Sequence, residues 1–331
     1  MSAQGVRLLD SAFLANVDGR DKSFWRFLGT LVGGLLGGLI CGLLIGGIAV
    51  IAFGVLSAPP GSPLTALPGR IAGLVSSNGA TLTSTLMLMV LAVTTNGPLA
   101  ITFICIAALI SRHHVRDYLT AARRFRWQML AAGLLMSVLV IGPAVALGQL
   151  LDPHAAPPPI LSLTPSLVGR LGYALGAIAL LIPAAAAEEV VFRGWMLRQT
   201  AAVTRNIFVL MAVNGVLFSA VHGEFGIDAF LTRALMGAGF VYMTLRLGGI
   251  EYSTGAHAAN NILIVLFIQP LTAQATPSAG FSWDALAQDA FLIVAYIAMA
   301  EVTARWAPLR RWSGADQTLD PPATAAAEQF A

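Results

Sequence analysis

Charge is what this sequence has least of. Asp, Glu, Lys and Arg make up only 11% of its 331 residues, where a soluble domain carries about 25%. With 57% hydrophobic residues and a mean hydropathy of +0.77, a water-soluble fold of this length could not hide its apolar surface. That excludes a soluble enzyme or binding domain, whereas a bilayer accepts the excess as solvent. Lysine is nearly missing: Lys22 is the only one, so the formal charge of +3 rests on arginine. In a membrane chain such charge points to loops against an anionic leaflet before it points to nucleic acid. Cysteine is scarce too. Cys41 and Cys105 sit in apolar runs, read as small hydrophobes and imply no disulfide framework. Nor is a cleavable signal peptide visible. The first 23 residues mix Asp10, Asp18 and Asp21 with Arg7, Arg20 and Lys22, and no short apolar core leads to a small-residue cleavage site.

What is present is a series of long apolar runs. A span needs about 20 apolar residues, and eight candidates lie near 25–55, 82–111, 127–150, 168–192, 206–222, 229–246, 255–270 and 285–304. The fold expected is therefore all-α, a polytopic transmembrane helix bundle of about eight spans. The first two runs exceed one membrane thickness and must tilt, break or protrude. The second carries Thr94-Thr95-Asn96-Gly97-Pro98, which removes a backbone donor and loosens the helix, yet splitting it there leaves two pieces too short to span. In the first, Gly33 and Gly37, and Gly34, Gly38, Gly42 and Gly46, recur every four residues. That spacing lets another helix approach closely, as packing within the chain rather than as a dedicated dimer seam.

Loop charges alternate. Arg112, Arg116, Arg123, Arg124 and Arg126 crowd the second loop; Arg193, Arg198 and Arg205 follow the fourth span; Arg246 ends the sixth, and Arg305, Arg310 and Arg311 follow the eighth. The intervening connections carry Arg70 alone, nothing basic in 151–167, Glu224 and Asp228 in 223–228, and nothing basic in 271–284. By the positive-inside rule both termini are cytoplasmic and the count is even. Arg233, early in the sixth span, is the one mismatch. The chain then divides into a cytoplasmic N-terminal segment (1–23), N-terminal transmembrane helices without a recognised motif (24–164), a motif-bearing core (165–304) and a disordered cytoplasmic tail (305–331). No internal repeat suggests a transporter built from two halves.

Charged residues inside apolar helices cost on the order of 2.5–3.5 kcal/mol each on insertion scales, so they are functional candidates, and the core concentrates them. The fourth span ends Glu188-Glu189-Val190-Val191-Phe192-Arg193. Glu189 and Arg193 are one helical turn apart and can pair; Glu188 points about 100° away with no partner in its own helix, which leaves it for proton transfer. A solvated helix end is the plainer alternative, but the helix has to run on past both carboxylates if it reaches Arg198. The fifth span ends with Phe218 and His222 on one face, and the seventh opens with His257 and Asn261 on one face. Each pair alone reads equally as packing. Together, a carboxylate and a His can activate a water, and a second His with an Asn can donate to the oxyanion formed when water adds to an amide. The soluble zinc-protease pattern His-Glu-x-x-His is missing, and no Ser or Cys stands out as a nucleophile.

Glu-Glu-x-x-x-Arg, then Phe-x-x-x-His, then His-x-x-x-Asn, in this order on successive membrane helices, resembles the CPBP family of intramembrane proteases, which includes the type II CAAX prenyl proteases and the Abi-like bacteriocin-processing proteins. The resemblance covers about residues 165–304 and departs at none of the key positions. It implies that Glu188 is the general base with His222 assisting, that His257 and Asn261 form the oxyanion site, and that Glu189 and Arg193 brace it. The family is often labelled metalloprotease. Glu188, His222 and His257 would be the ligands if zinc binds, yet a glutamate-activated water needs no metal, and metal-independent chemistry is the reading preferred here. The expected function is an endopeptidase acting on membrane-embedded or lipidated substrates from a cytoplasm-facing cavity, with no nucleic-acid partner. A non-catalytic membrane immunity, scaffold or transport protein on the same fold is the alternative. Arg-rich, Lys-poor, Ala/Gly-rich usage suggests a bacterium of high GC content, hence the inner membrane.

Overall fold

A computed structural model describes residues 11–223, 226–272 and 282–317. Among these the fold is all-α, with no strand beyond a single bridge between Thr120 and Gly249. The elements are α1 (Phe24–Leu56), α2 (Leu67–Ser76), α3 (Leu82–Ser111), α4 (Trp127–Leu151), α5 (Leu167–Val203), α6 (Ile207–Ala220), α7 (Ile227–Leu247), α8 (Glu251–Leu263), α9 (Trp283–Arg305) and α10 (Ala307–Ser313). Each of the eight expected runs falls on a helix. Five of them, α1, α3, α4, α5 and the Leu286–Arg305 part of α9, are long and apolar enough to cross a membrane. The chain is an integral membrane helix bundle. Helix α6, also apolar, has only 14 residues, about 21 Å of rise against a hydrocarbon core of about 30 Å, so it ends inside the bundle.

The glycine seam of α1 packs within the chain. Gly34, Gly38, Gly42 and Gly46 are buried, and α3 lies against them: a Cβ on Gly42 would stand 2.6 Å from the Thr95 carbonyl oxygen, and one on Gly38 2.9 Å from that of Leu99. Helix α3 runs unbroken through Pro98. The hydroxyls of Thr94 and Thr95 donate back to the carbonyls of Val90 and Leu91, at 2.6 and 2.7 Å, within the turn that the proline weakens. The same close approach recurs deeper in the chain, where Gly133 of α4 lies on the Tyr252 carbonyl and Gly255 of α8 on the Leu130 carbonyl.

One end of the bundle gathers the N-terminal segment, the 112–126 loop and the C-terminal ends of α5 and α7. Ser11 donates to the Leu245 carbonyl, and Phe13 and Leu14 pack with Leu197, Ala201 and Val241. The basic residues expected in loops thus do lie at one end, but not all as solvated charge. Arg198 is fully buried and donates to the carbonyls of Phe13, Asn16 and Asp117. Arg126, also buried, pairs with Glu251 at 2.9 Å and donates to the Leu247 carbonyl. Both arginines fasten helix ends rather than face a leaflet. A second correction concerns the tail: α10 is helical, and Leu309 and Ala315 pack on the core beside α4 and α9. The C-terminal part of the expected tail, 318–331, lies outside the described residues, as does Glu224.

Candidate active site in the helix bundle

Helix α5 changes its winding where the motif begins. It is α-helical through Glu189 and π-helical over Val190–Met196, a form that occurs mostly as short insertions in α-helices and often at functional sites. Arg193, within that turn, pairs with Glu189 at 3.1 Å, both side chains wholly buried. It donates to the Gly237 carbonyl of α7 at 3.1 Å. Its guanidinium lies over the rings of Phe218, Phe240 and Phe192, at 4.4, 5.1 and 5.9 Å from their centroids, which adds cation–π attraction in a dry setting. Gly237 is small for a reason: a Cβ there would stand 3.2 Å from Arg193 Nη2.

His222 lies just beyond α6, in a tightened last turn. Its own N–H bonds to Ser219 rather than to Phe218, so the Phe218 carbonyl is left for the imidazole, whose Nδ1 donates to it at 2.7 Å. A carbonyl only accepts, so that ring nitrogen carries the proton and Nε2 presents a lone pair. His257 of α8 is held in the same way. Its Nδ1 lies 3.0 Å from Glu189 Oε1, and a carboxylate engaged by an arginine only accepts. Phe240 stacks on its ring at 5.2 Å and Phe218 meets it edge-on at 5.7 Å.

Glu188 closes the set. Its Oε2 lies 3.7 Å from Nε2 of His222 and 3.7 Å from Nε2 of His257, and no protein hydrogen bond satisfies it. Three acceptor atoms from three helical segments therefore face one another. A water has two protons to donate, enough for two of the three, so the cluster accommodates a water only with one additional proton or cation. His257, with a carboxylate near each ring nitrogen, is the member best placed to donate from both. A water could then give its protons to Glu188 and His222. Asn261 stands half-buried one turn beyond His257, and no hydrogen bond or ion pair joins it to Glu188, His222 or His257. Of the six singled-out residues, five are brought into contact and Asn261 flanks them.

Helical rise puts Glu188 about 22 Å from the end of α5 at Val203, and His222 about 22 Å from the start of α6 at Ile207. Helix α5 continues to Val203, five residues past Arg198. Accessibility is uneven. The side chains of Glu188 and His222 are 24% and 27% exposed, that of His257 3%, and those of Glu189 and Arg193 are closed. The open edge is thus the Glu188–His222 edge. Arg193, buried beneath its phenylalanines, closes the inner side of the site.

For metal binding, the three ligand atoms of Glu188, His222 and His257 are spread wider than the ~3.3 Å separations of a tetrahedral zinc shell with bonds near 2.0–2.1 Å. Zinc would have to draw them inward. The described side chains whose ligand atoms do lie within 4.8 Å of one another are Asp18, Asp21 and His113, but their lone pairs are taken. Arg20 holds Asp18 at 2.7 Å and faces His113 Nδ1 at 3.3 Å, while Asp21 accepts from His113 Nε2 at 3.2 Å and from the Asp18 N–H at 3.0 Å. Two arginines in the cluster, Arg20 and Arg198, repel a cation. Burial by itself would raise Asp21, but His113, Arg198 and the Asp18 N–H outweigh it and hold the carboxyl below its ordinary range.

Residues 170–263 match the family model described as type II CAAX prenyl endopeptidase Rce1-like. Over this stretch the chain is similar to the Rce1-like endopeptidases. The matched stretch enters at the fourth residue of α5, leaves at the end of α8, and so contains all seven motif residues. Over 166 residues the chain is 29% identical to the uncharacterized protein YyaK of Bacillus subtilis (strain 168), covering 48% of this chain and 54% of that protein. The chain thus spans about half the length of this curated relative. No solved structure matches. Sequence reasoning found the residues that converge here but missed Gly237 and Phe240, which hold Arg193 and His257 from α7. Their signal, Met236-Gly237-Ala238-Gly239-Phe240 on an otherwise apolar helix, is readable only once the neighbouring helices are known.

Proposed function

We propose that the Rce1-like core is an intramembrane endopeptidase that hydrolyses peptide bonds of membrane-embedded or lipidated, CAAX-like substrates with a water activated by Glu188 and His222. The observation that carries this reading is the convergence of Glu188 Oε2 with Nε2 of His222, whose Nδ1 is held by the Phe218 carbonyl, and with Nε2 of His257, whose Nδ1 is held by Glu189. Glu188 takes the proton of the attacking water, and His222 accepts the second hydrogen bond and orients it. As the tetrahedral intermediate forms, His257 donates from Nε2 to the oxyanion, its other nitrogen anchored by Glu189. Asn261, one turn along the same face, adds a carboxamide N–H where the substrate carbonyl would lie. The proton on Glu188 then passes to the leaving amine. Water, two imidazoles and a carboxylate complete this cycle without a metal.

The membrane location follows the fold; we place both termini on the cytoplasmic side of a bacterial inner membrane because the arginine-rich loops share one end of the bundle. Glu188→Gln tests the mechanism. It removes the proton acceptor at nearly constant shape, so peptide cleavage by the purified protein drops by roughly 10²–10⁴-fold while the thermal melt in detergent stays in place. Wild-type turnover in this variant rules the mechanism out. Activity that disappears with a zinc chelator and returns with zinc would transfer the role of Glu188 to metal ligation. The scaffold alternative predicts no cleavage by the wild-type protein of any membrane peptide that accumulates in cells carrying Glu188→Gln.

A further inference from the structure

Arg233 sits early in the sixth apolar run, away from the arginine-rich loops, and the proposed mechanism does not use it. It is half-buried inside α7, where a charge costs free energy and so marks a function by default. Helical rise places it about 21 Å from the end of α7 at Leu247, level with Glu188 and His222 on their own helices. It also stands on the face that meets the site. Phe230 accepts from Ser219 of α6, and Gly237, one turn after Arg233, touches Gly215, Phe218 and Arg193. Its charge reaches His222. The inner layer of the site, Arg193 and Glu189, is sealed, whereas Glu188 and His222 form the accessible edge. Arg233 is thus a cation that acts on His222, a member of the accessible edge.

We propose that Arg233 is a specificity residue that holds the C-terminal carboxylate of the peptide fragment leaving from the site. This rests on the endopeptidase reading above. A guanidinium offers a planar fork that matches a carboxylate in two parallel hydrogen bonds. An extended chain advances about 3.3–3.6 Å per residue, so a cation on the neighbouring helix selects substrates whose scissile bond lies only a few residues from the C-terminus. Arg233 already interacts within the chain, and the substrate carboxylate joins or exchanges with those contacts. Such exchange suits a group that must also let product go.

The test uses the full-length protein in detergent and one peptide sequence in two forms, with a free C-terminal carboxylate and with a C-terminal amide. The wild type should prefer the acid by about 10–100-fold in kcat/KM, the scale of a charge-assisted bidentate contact, with the difference in KM. Arg233→Gln should collapse the acid-to-amide ratio to near one, and Arg233→Lys, which keeps charge without the fork, should restore part of it. Glu188-dependent cleavage of both peptides at equal kcat/KM by the wild type overturns the role of Arg233 and leaves the endopeptidase standing. An acid-to-amide ratio unchanged in a folded Arg233→Gln protein does the same. No cleavage of either form by the wild type, or of membrane peptides in cells, removes both.

Discussion

Helices α1 and α3 meet through Gly34, Gly38, Gly42 and Gly46, whereas α5 to α8 meet around Glu189, Arg193 and His257. Lipid tails are as apolar as leucine, so neither contact is driven by the hydrophobic effect. The first region solves this by shape: small residues bring backbones together and dispersion does the rest. The second solves it by charge. An arginine, a carboxylate and an imidazole that would each be costly alone become tolerable as a closed set, with carbonyls and aromatic faces covering the remainder. The difference teaches where sensitivity lies. The shape-held pair should resist chemical change and fail on added volume. The charge-held set should accept little chemical change at constant volume.

The sharpest test of that contrast is Glu189→Gln, nearly isosteric. It leaves Arg193 buried beside a neutral amide and takes the anchor from His257, so we expect about 3–5 kcal/mol of lost stability, the scale for stranding a buried charge, together with lost peptide cleavage. A thermal melt that does not move would show that shape, not charge, holds this region too. Next comes Asn261→Ala. It should cost roughly 10²–10³ in cleavage rate, the scale of one oxyanion donor, with the melt unchanged, because no hydrogen bond or ion pair joins Asn261 to the charged set. A fall in stability of the same size would recast Asn261 as a packing residue.

On the shape-held side, Gly42→Leu drives a side chain into the Thr95 backbone, where even a Cβ would lie 2.6 Å from the carbonyl oxygen. Overpacking of this kind costs about 1–3 kcal/mol. Cleavage per folded molecule should persist, measured as kcat/KM against the fraction folded; activity lost ahead of the fold would mean that α1 and α3 are coupled to the site. The smallest global effect belongs to the N-terminal segment. Asp21 is held below its ordinary range by His113, Arg198 and the Asp18 N–H against the opposing push of burial. Its contribution is therefore complete above the ordinary carboxylate value, near 4, and is lost as pH falls through the lower folded value. Hydrogen exchange within 11–23 should stay slow from neutral pH down to about 5 and quicken below about 4. Asp21→Asn should quicken it already at neutral pH, by the roughly 1–3 kcal/mol of an unmade buried hydrogen bond. Identical pH profiles in the two proteins would assign the segment's docking to Arg198 and its carbonyl partners instead.

Much of the fold was legible because hydropathy is a local, additive property. Runs such as 25–55, 82–111 and 127–150 match α1, α3 and α4 to within a residue or so of each end, since lipid tolerates only helices whose backbones satisfy themselves. The three motifs could be read for the same reason that makes them costly: Glu188, Glu189, His222 and His257 stand out against apolar neighbours. What misled was charge counted without its neighbours. Arg126 and Arg198 look like loop anchors in the sequence and are buried clamps in the fold. The segment after Arg305 looks like a tail, yet Leu309 and Ala315 are bound to the core.

The sequence alone thus determined that this protein lives in a membrane, that its backbone is helical, and which residues carry a burden that only function or pairing can justify. Each of those conclusions follows from the transfer of single residues between water and lipid, which needs no knowledge of neighbours. Tertiary structure alone decided the rest. It set how far α5 extends, that its winding turns π-helical after Glu189, and that the Phe218 carbonyl and Glu189 fix the ring protons of His222 and His257. It also decided that Nε2 of each faces Glu188 at 3.7 Å. These depend on the rotation and depth of one helix against another, and a rotation by a single residue, 100° around the axis, would misplace these side chains without changing the hydropathy of the sequence at all.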